Sequence, residues 1–171
     1  MTVADDHPVT VANDARVSLL LADFANADAT GKLNVIGGKW QVTSLLPTGL
    51  TQPMSLVVLI ALPANHHGEQ FAWGVSLHDE AGEVVSLPGP NGEPQAMRIQ
   101  QVSKLETPDV RGVVLPSAHL PCSLQLVMNF PTGLLLSPGA YLWKVEIDGN
   151  SNPLWQVEFF VAGPPPRPVL G

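Results

Sequence analysis

The sequence predicts an all-β protein, a single antiparallel β-sandwich of the Ig-like or C2-like jelly-roll type with about eight or nine strands. Apolar and polar residues alternate with a period of two in several segments, as they do in strands that bury one face. No stretch of about ten residues shows helical periodicity. Turn-forming residues separate the segments, with 17 prolines and 15 glycines among 171 residues. Short strands between such turns are typical of a sandwich or barrel.

Four segments show the alternation most clearly. They are "FAWGVSLH" (71–78), "SLQLVMNF" (123–130), "YLWKVEID" (141–148) and "LWQVEFFV" (154–161). Trp73, Trp143 and Trp155 stand on the apolar faces of these strands, so we expect them to pack in the core rather than to bind a carbohydrate. Trp40 is the tryptophan that this pattern does not explain.

Two segments are apolar on both faces, "RVSLLLAD" (16–23) and "MSLVVLIALP" (54–63). We therefore place both centrally in a sheet, or with their second face against another subunit. The stretch "EIDGNSNPLW" (146–155) predicts a hairpin between the last two strands, because Asp-Gly is a strong turn signal. The stretch 23–31 predicts a connection between two strands, and Gly37-Gly38 predicts a bulge or a positive φ before Trp40.

The ends of the chain differ from its middle. We assign residues 1–15 to an N-terminal arm, in which "PVTV" (8–11) could add an edge strand, residues 16–162 to the sandwich, and residues 163–171 to an extended tail. The tail, "GPPPRPVLG", favours polyproline II because proline donates no sheet hydrogen bond. Its candidate interaction residues, which would dock in a groove of a partner or a neighbouring subunit, are Pro164, Pro165, Pro166, Arg167 and Pro168. The alternative is a solvated tail.

Composition argues against two classes of partner. The net charge is −7 and the eight basic residues are scattered, so we expect no nucleic-acid binding, which needs clustered cations. The longest apolar run, 56–64, contains a proline and is far shorter than the roughly 20 residues of a spanning helix, so we expect no membrane partner. The opening "MTVADDHPVT" is acidic and polar, so we expect no signal peptide.

Charged residues make up only 13% of the chain, against roughly 25% in ordinary soluble domains. Such a neutral surface often contacts other proteins. A large β core is the other explanation for the same composition, and the sequence leaves the two open.

The Gly-Lys pairs at 31–32 and 38–39 invite comparison with a phosphate-binding loop. That loop needs a glycine five residues before the Gly-Lys pair and a Ser or Thr after it, and both pairs fail at both positions. The serines have no nucleophile-elbow context either. We therefore expect no enzyme, no catalytic residue and no cofactor.

Histidine and cysteine spacings do not match a metal site. His66 and His67 are adjacent, and we expect "NHHGEQ" to form a polar turn before the strand at Phe71, although whether they bind anything stays open. Cys122 is the single cysteine and stands in a strand-like run, where a small buried apolar side chain is the ordinary role.

The segment order also carries a family resemblance. The chain contains "LLLADFANADATGKLNVIGGKW" (19–40), then "PMSLVVLIALP", "FAWGVSLHDEAGEVV" and "PGAYLWKVEIDG…WQVEFFV". Over roughly residues 17–161 this order resembles an uncharacterised family of small all-β proteins of high-GC Gram-positive bacteria and their tailed phages. The resemblance implies no catalytic residues. The N-terminal arm and the proline-rich tail are additions to the family pattern.

Together these observations favour a non-enzymatic structural or interaction protein, an accessory component of a phage virion that decorates or stabilises the capsid or associates with the tail. Its expected partners are capsid or other virion subunits, including copies of itself in a homo-oligomer. Its expected location is the virion if a phage encodes it, and otherwise the cytoplasm. The alternative is a bacterial cytoplasmic β-sandwich module that binds a small ligand or a peptide.

Overall fold

Strands make up nearly every regular element of the protein. A computed structural model describes residues 11–105, 112–113, 116 and 120–163. Within them lie the helical turn α1 (Val11–Asp14), a 3₁₀ turn (Ala64–His66) and twelve strands. The strands are β1 (Arg16–Ala22), β2 (Phe24–Ala27), β3 (Leu33–Ile36), β4 (Val42–Ser44), β5 (Met54–Leu62), β6 (Gln70–Asp79), β7 (Ser86–Pro88), β8 (Pro94–Ala96), β9 (Arg98–Lys104), β10 (Cys122–Phe130), β11 (Gly139–Ile147) and β12 (Asn150–Ala162).

The described strands form four sheets. The largest has the order β4-β12-β11-β6-β9 and the next β1-β5-β10, and two ribbons pair β2 with β3 and β7 with β8. The all-β class is thereby confirmed, whereas the description as one sandwich stays a prediction. The expectation of wholly antiparallel pairing is wrong for β4, which runs parallel to β12 with Val42 opposite Phe160. No hairpin joins these two distant segments, so the connection does not dictate their direction.

The twelve strands exceed the eight or nine expected because five of them are only three or four residues long: β2, β3, β4, β7 and β8. Such short strands carry too few residues to show an alternating pattern. The segment 23–31, expected to be a connection, contains β2. A hairpin does form here, but its first strand is β2, which pairs with β3, so the turn is shorter than the connection expected over 23–31. Gly37 has the positive φ of 62° that was anticipated there.

The inner faces of the two larger sheets contribute to one apolar core. Trp73, Trp143 and Trp155 are buried in it, which confirms their assignment from the alternating pattern. Trp40 packs against this core too, with its ring edge-on to Phe159 at 6.2 Å between centroids. Cys122 is buried as expected, and burial raises the pKa of its thiol.

The two segments that are apolar on both faces have different positions. β5 is the central strand of its sheet, as predicted, but β1 is an edge strand, so its central placement is wrong. Part of the second face of β5 is covered by the chain's own β2–β3 ribbon, near Ser55, whereas Leu59 on the same face is exposed. The Ala25 N–H donates to Ser55 Oγ at 3.1 Å, and the Ser55 hydroxyl donates to Asn129 Oδ1 at 2.5 Å. A ribbon of the same chain thus buries part of a face for which another subunit was considered.

The hairpin between the last two strands is confirmed. Ile147 pairs with Asn150, and the two intervening residues, Asp148 and Gly149, both have positive φ, 48° and 74°. Two positive φ values define a type I′ turn, which matches the twist of antiparallel strands. The Asp148 carboxylate also accepts the Ala72 N–H at 2.8 Å, which ties the turn to β6.

We expect Gly149→Ala to lower the free energy of unfolding by about 1 kcal/mol, because a Cβ disfavours the left-handed conformation. Urea denaturation followed by circular dichroism measures the change. The nearby exposed Ser151→Ala is the control and should stay within about 0.5 kcal/mol of the wild type. Equal stabilities of Gly149→Ala and the wild type would contradict the turn assignment.

The described part of the N-terminal arm is not an edge strand. Of the segment "PVTV" only Val11 is described, and it lies in α1, where Val11 and Ala12 are both buried in the core. The tail residues proposed for interaction, Pro164, Pro165, Pro166, Arg167 and Pro168, lie outside the described residues. None of the helices within the described ranges has the length and apolar character needed to cross a membrane.

Candidate functional site

A histidine buried between two carboxylates joins the N-terminal turn to the connection between β5 and β6. His66 ends the 3₁₀ turn and is only 2% exposed. Its Nδ1 lies 2.7 Å from Glu69 Oε2, and its Nε2 lies 2.8 Å from Asp14 Oδ2. Asp14 is the last residue of α1, so the histidine holds that turn against the sheet. We call Asp14, His66 and Glu69 the histidine clamp.

The chemistry of the histidine clamp requires a protonated ring. A neutral imidazole has one N–H, whereas a carboxylate only accepts, so only imidazolium donates to both neighbours. The hydrogen bond to Glu69 and then the one to Asp14 raise the pKa of His66, while burial opposes the shift. With both ring nitrogens donating to carboxylates, the ring has no free lone pair to accept a proton from a substrate. The arrangement is that of a structural clamp.

The segment that carries His66 is a turn, as the sequence predicted. The neighbouring His67 points elsewhere, and its Nε2 lies 3.0 Å from the Leu120 carbonyl oxygen. Among the residues that the structure describes, no group of three His, Cys, Asp or Glu side chains is placed to hold a metal ion.

A second feature is an apolar surface on the outer face of the five-stranded sheet. Val42 on β4 is 62% exposed, and its cross-strand neighbour Phe160 on β12 is 48% exposed. Ala140 and Leu142 on β11 continue the same face, because Ala140 lies opposite Phe160 and Leu142 lies opposite Glu158. Residues directly opposite each other in a sheet share a face. We call Val42, Ala140, Leu142 and Phe160 the apolar face.

Acidic side chains border this face at one end. Two adjoining pockets of about 220 and 270 Å³ share Asp79, Glu80, Ala140 and Tyr141. The first extends to Leu142 and Glu158 and the second to Pro138 and Gly139. We call the two pockets together the acidic cleft. It combines carboxylates with apolar and aromatic walls, which suits a ligand that has a cation between apolar groups.

A third hollow, of about 360 Å³, lies near the other end of the same sheet. Its floor includes Ala72 and Gly74 of β6, and its walls include Gln100, Val102 and Glu146. The hollow forms because β6 places the small residues Ala72 and Gly74 on this face. A Cβ on Gly74 would lie 3.0 Å from the Ile99 carbonyl oxygen, so glycine permits the close approach of β9.

Sequence reasoning found part of these sites and missed the rest. Placing Trp155, Val157, Phe159 and Val161 on the inner face leaves Phe160 outward, so its exposure was readable from the sequence. The histidine clamp was missed. The spacing of His66 and Glu69, three residues apart, was a local signal, but Asp14 stands 52 residues before His66. Only the fold brings that carboxylate to the ring.

The architecture and these surfaces define an all-β protein with a charged clamp at its N-terminal turn and an exposed apolar sheet face. The chain belongs to a family of unknown function, DUF6941, which it matches over residues 17–162. The resemblance to an uncharacterised family is confirmed to this extent. The distribution of that family among Gram-positive bacteria and their phages stays a prediction.

Solved structures add no functional argument. The Pseudomonas fluorescens alkylpurine DNA glycosylase AlkC, bound to DNA containing an abasic site analog, aligns with a TM-score of 0.36 and 13% identity. The alignment covers 86% of this chain and 30% of that chain. A likeness at this level supports no transfer of fold or activity. No curated protein is significantly similar to the sequence.

Proposed function

We propose that this protein is a non-enzymatic structural component of a phage particle, which decorates or stabilises the capsid by binding other virion subunits. The observation that carries the proposal is the apolar face. Val42 and Phe160 are neighbours, and both expose about half of their side chains or more to solvent. Exposed apolar groups that adjoin one another are typical of protein contacts, whereas singly scattered ones are ordinary.

Two further features support this proposal. The outer face of β12 exposes an aromatic ring in a chain that has few charged residues, and aromatic side chains are enriched in protein interfaces. His66 is buried and contacts a carboxylate at each ring nitrogen, which suits it to holding the fold. In this proposal the two larger sheets are the two layers of an Ig-like or C2-like sandwich, since their inner faces share one core.

Quantitative mass spectrometry of purified virions tests the location. We expect the protein at a copy number comparable with that of the capsid subunits, and a phage enzyme of the infected cell serves as the contamination control. Enrichment in isolated tails rather than capsids would overturn the capsid role in favour of a tail-associated one. Presence in the infected-cell lysate alone would overturn the virion proposal.

The apolar face is tested by substitution. We expect Phe160→Asp to reduce incorporation into particles at least about tenfold, because a charge at the centre of an apolar contact costs more than about 1.4 kcal/mol. Val102→Asp is the matched control, since Val102 is 69% exposed on the edge strand β9 of the same sheet. Equal incorporation of both variants would contradict the assignment of the contact to the apolar face. Unchanged melting temperatures exclude misfolding.

The alternative function, a bacterial cytoplasmic module for a small ligand or peptide, is favoured by one observation, the 360 Å³ hollow above Ala72 and Gly74. Ala72→Leu would fill its floor without placing a side chain at Gly74, where β9 approaches closely. If ligand-observed NMR with a fragment mixture showed saturable binding that Ala72→Leu abolishes, while virions lacked the protein, this second function would replace the first.

A further inference from the structure

We propose that the acidic cleft binds residues 164–171 of a second copy of this chain, so that copies link through their proline-rich segments. This inference rests on the proposed function, since it names one partner for the same sheet face. The cleft lies next to the apolar face and shares Ala140 and Leu142 with it.

Charge complementarity is the first argument. The segment reads "PPPRPVLG", and Arg167 is its single charged side chain. The cleft offers three carboxylates, those of Asp79, Glu80 and Glu158. Asp79 already accepts the Glu83 N–H at 2.9 Å within its turn, which holds that carboxylate in place. A guanidinium group matches carboxylates with paired, geometrically specific hydrogen bonds.

The apolar part of the segment matches the remaining walls. Grooves that recognise proline-rich peptides present aromatic and apolar surfaces to an extended chain whose ordering costs little entropy. In the acidic cleft these surfaces come from Pro138, Tyr141 and Leu142. Tyr141 is only 9% exposed, its ring stacks on Phe159, and its hydroxyl donates to the Ser137 carbonyl oxygen at 2.9 Å, so this residue is a fixed part of the cleft wall.

The point where the segment begins explains why the partner is another copy. A methyl group placed on Gly163 would lie 3.5 Å from Pro138 Cγ, so the segment starts at the wall of its own cleft. Residues before proline avoid the helical conformation, and three prolines follow Gly163 at once. The sequence favours polyproline II for these prolines, and four residues in that conformation would extend about 12 Å, so we infer that the Arg167 guanidinium reaches beyond the adjacent cleft. The cleft of a second copy can be approached from any direction, so the position of Gly163 does not prevent Arg167 from entering it.

Sedimentation velocity of the full chain over a concentration series tests the proposal. We expect concentration-dependent association of the wild type, and a weakening of at least about tenfold in both Arg167→Glu and Glu80→Arg, since each loses about 1.4 kcal/mol or more. The double variant, which exchanges the two charges, should recover association. Arg16→Glu and Glu93→Arg, exposed charges outside the cleft, should associate as the wild type does.

The outcomes separate this inference from the proposed function. A wild type that stays monomeric, an Arg167→Glu variant that associates normally, or a double variant that fails to recover would each overturn the exchange of segments. If such a protein were still abundant in purified virions, the virion role would stand and only the partner would be wrong. Circular dichroism melting of every variant confirms that lost association is not lost folding.

Discussion

Trp143→Ala is expected to lower the free energy of unfolding by about 3 to 5 kcal/mol, the largest effect that we predict for a single side chain. Trp143 is fully buried at the centre of the five-stranded sheet, opposite Val157 on one side and Leu77 on the other. Its ring stacks on Phe130 of the three-stranded sheet, with 5.9 Å between centroids. Removing it therefore opens a cavity where the two sheets meet. Urea denaturation monitored by circular dichroism measures the loss.

Trp143→Phe is the matched control for this experiment. The indole Nε1–H of Trp143 is buried and has no hydrogen-bond partner among the residues that the structure describes. Removing that donor recovers part of a desolvation cost of about 1 to 3 kcal/mol, which offsets some of the lost packing. We therefore expect Trp143→Phe to be clearly more stable than Trp143→Ala. A Trp143→Ala variant as stable as the wild type would contradict the shared core.

The second large effect is a pH-dependent loss of stability on removing His66. We expect His66→Ala to lower the free energy of unfolding by about 2 kcal/mol in mildly acidic solution, where the ring is charged and donates to both carboxylates. This figure allows for the partial exposure of the carboxylates, 35% for Asp14 and 51% for Glu69, which weakens each ion pair through solvent screening.

The direction of the pH dependence follows from the raised pKa of His66. A raised folded-state pKa means that the folded protein binds the proton more tightly than the unfolded chain does. This stabilisation is fully present below the ordinary histidine pKa of 6.5, and it is lost as the pH rises through the higher folded-state pKa. The stability difference between the wild type and His66→Ala should therefore shrink as the solution becomes alkaline.

NMR titration of the His66 ring together with denaturation at several pH values tests the clamp. Asp14→Asn and Glu69→Gln are near-isosteric variants, and each should lower the measured pKa of His66. Amide hydrogen exchange of Val11 to Asp14 should quicken in the same variants, because α1 loses its tie to the sheet. A His66 pKa at its ordinary value, or a loss of stability independent of pH, would contradict the clamp.

The alternating segments explain why much of the fold was predictable. The burial of Trp73, Trp143 and Trp155 follows from a period of two. Side chains two residues apart in a strand lie on the same face of the sheet, so large apolar residues at that spacing mark the face that is buried. The hairpin at Asp148 and Gly149 was predictable because two consecutive residues with positive φ restrict the sequence strongly. Its partner strands were thereby identified as well.

Other elements could not be predicted because their signals are short or non-local. β1 has the same two-sided apolar pattern as β5, yet β1 is an edge strand and β5 is the central strand of their sheet. The β2–β3 ribbon contacts the second face of β5, and the sequence of one strand does not indicate which other segments will pack on it. β4 pairs parallel with a strand more than a hundred positions away, which no local pattern indicates. A helical turn of four residues, in which only Val11 and Ala12 are buried, is too short to show a helical pattern in the sequence.

The sequence by itself determined the all-β class, the inward faces of the long strands and the turn that joins the last two, because these depend on side-chain period and on backbone conformations that few residues allow. Only the tertiary structure decided which strands lie at edges, that Asp14 meets His66, and that Val42 and Phe160 adjoin each other with acidic side chains nearby. Those contacts join residues far apart in the chain. Their interaction energies therefore contribute only once the chain has folded and the entropy cost of closing the intervening loops has been met.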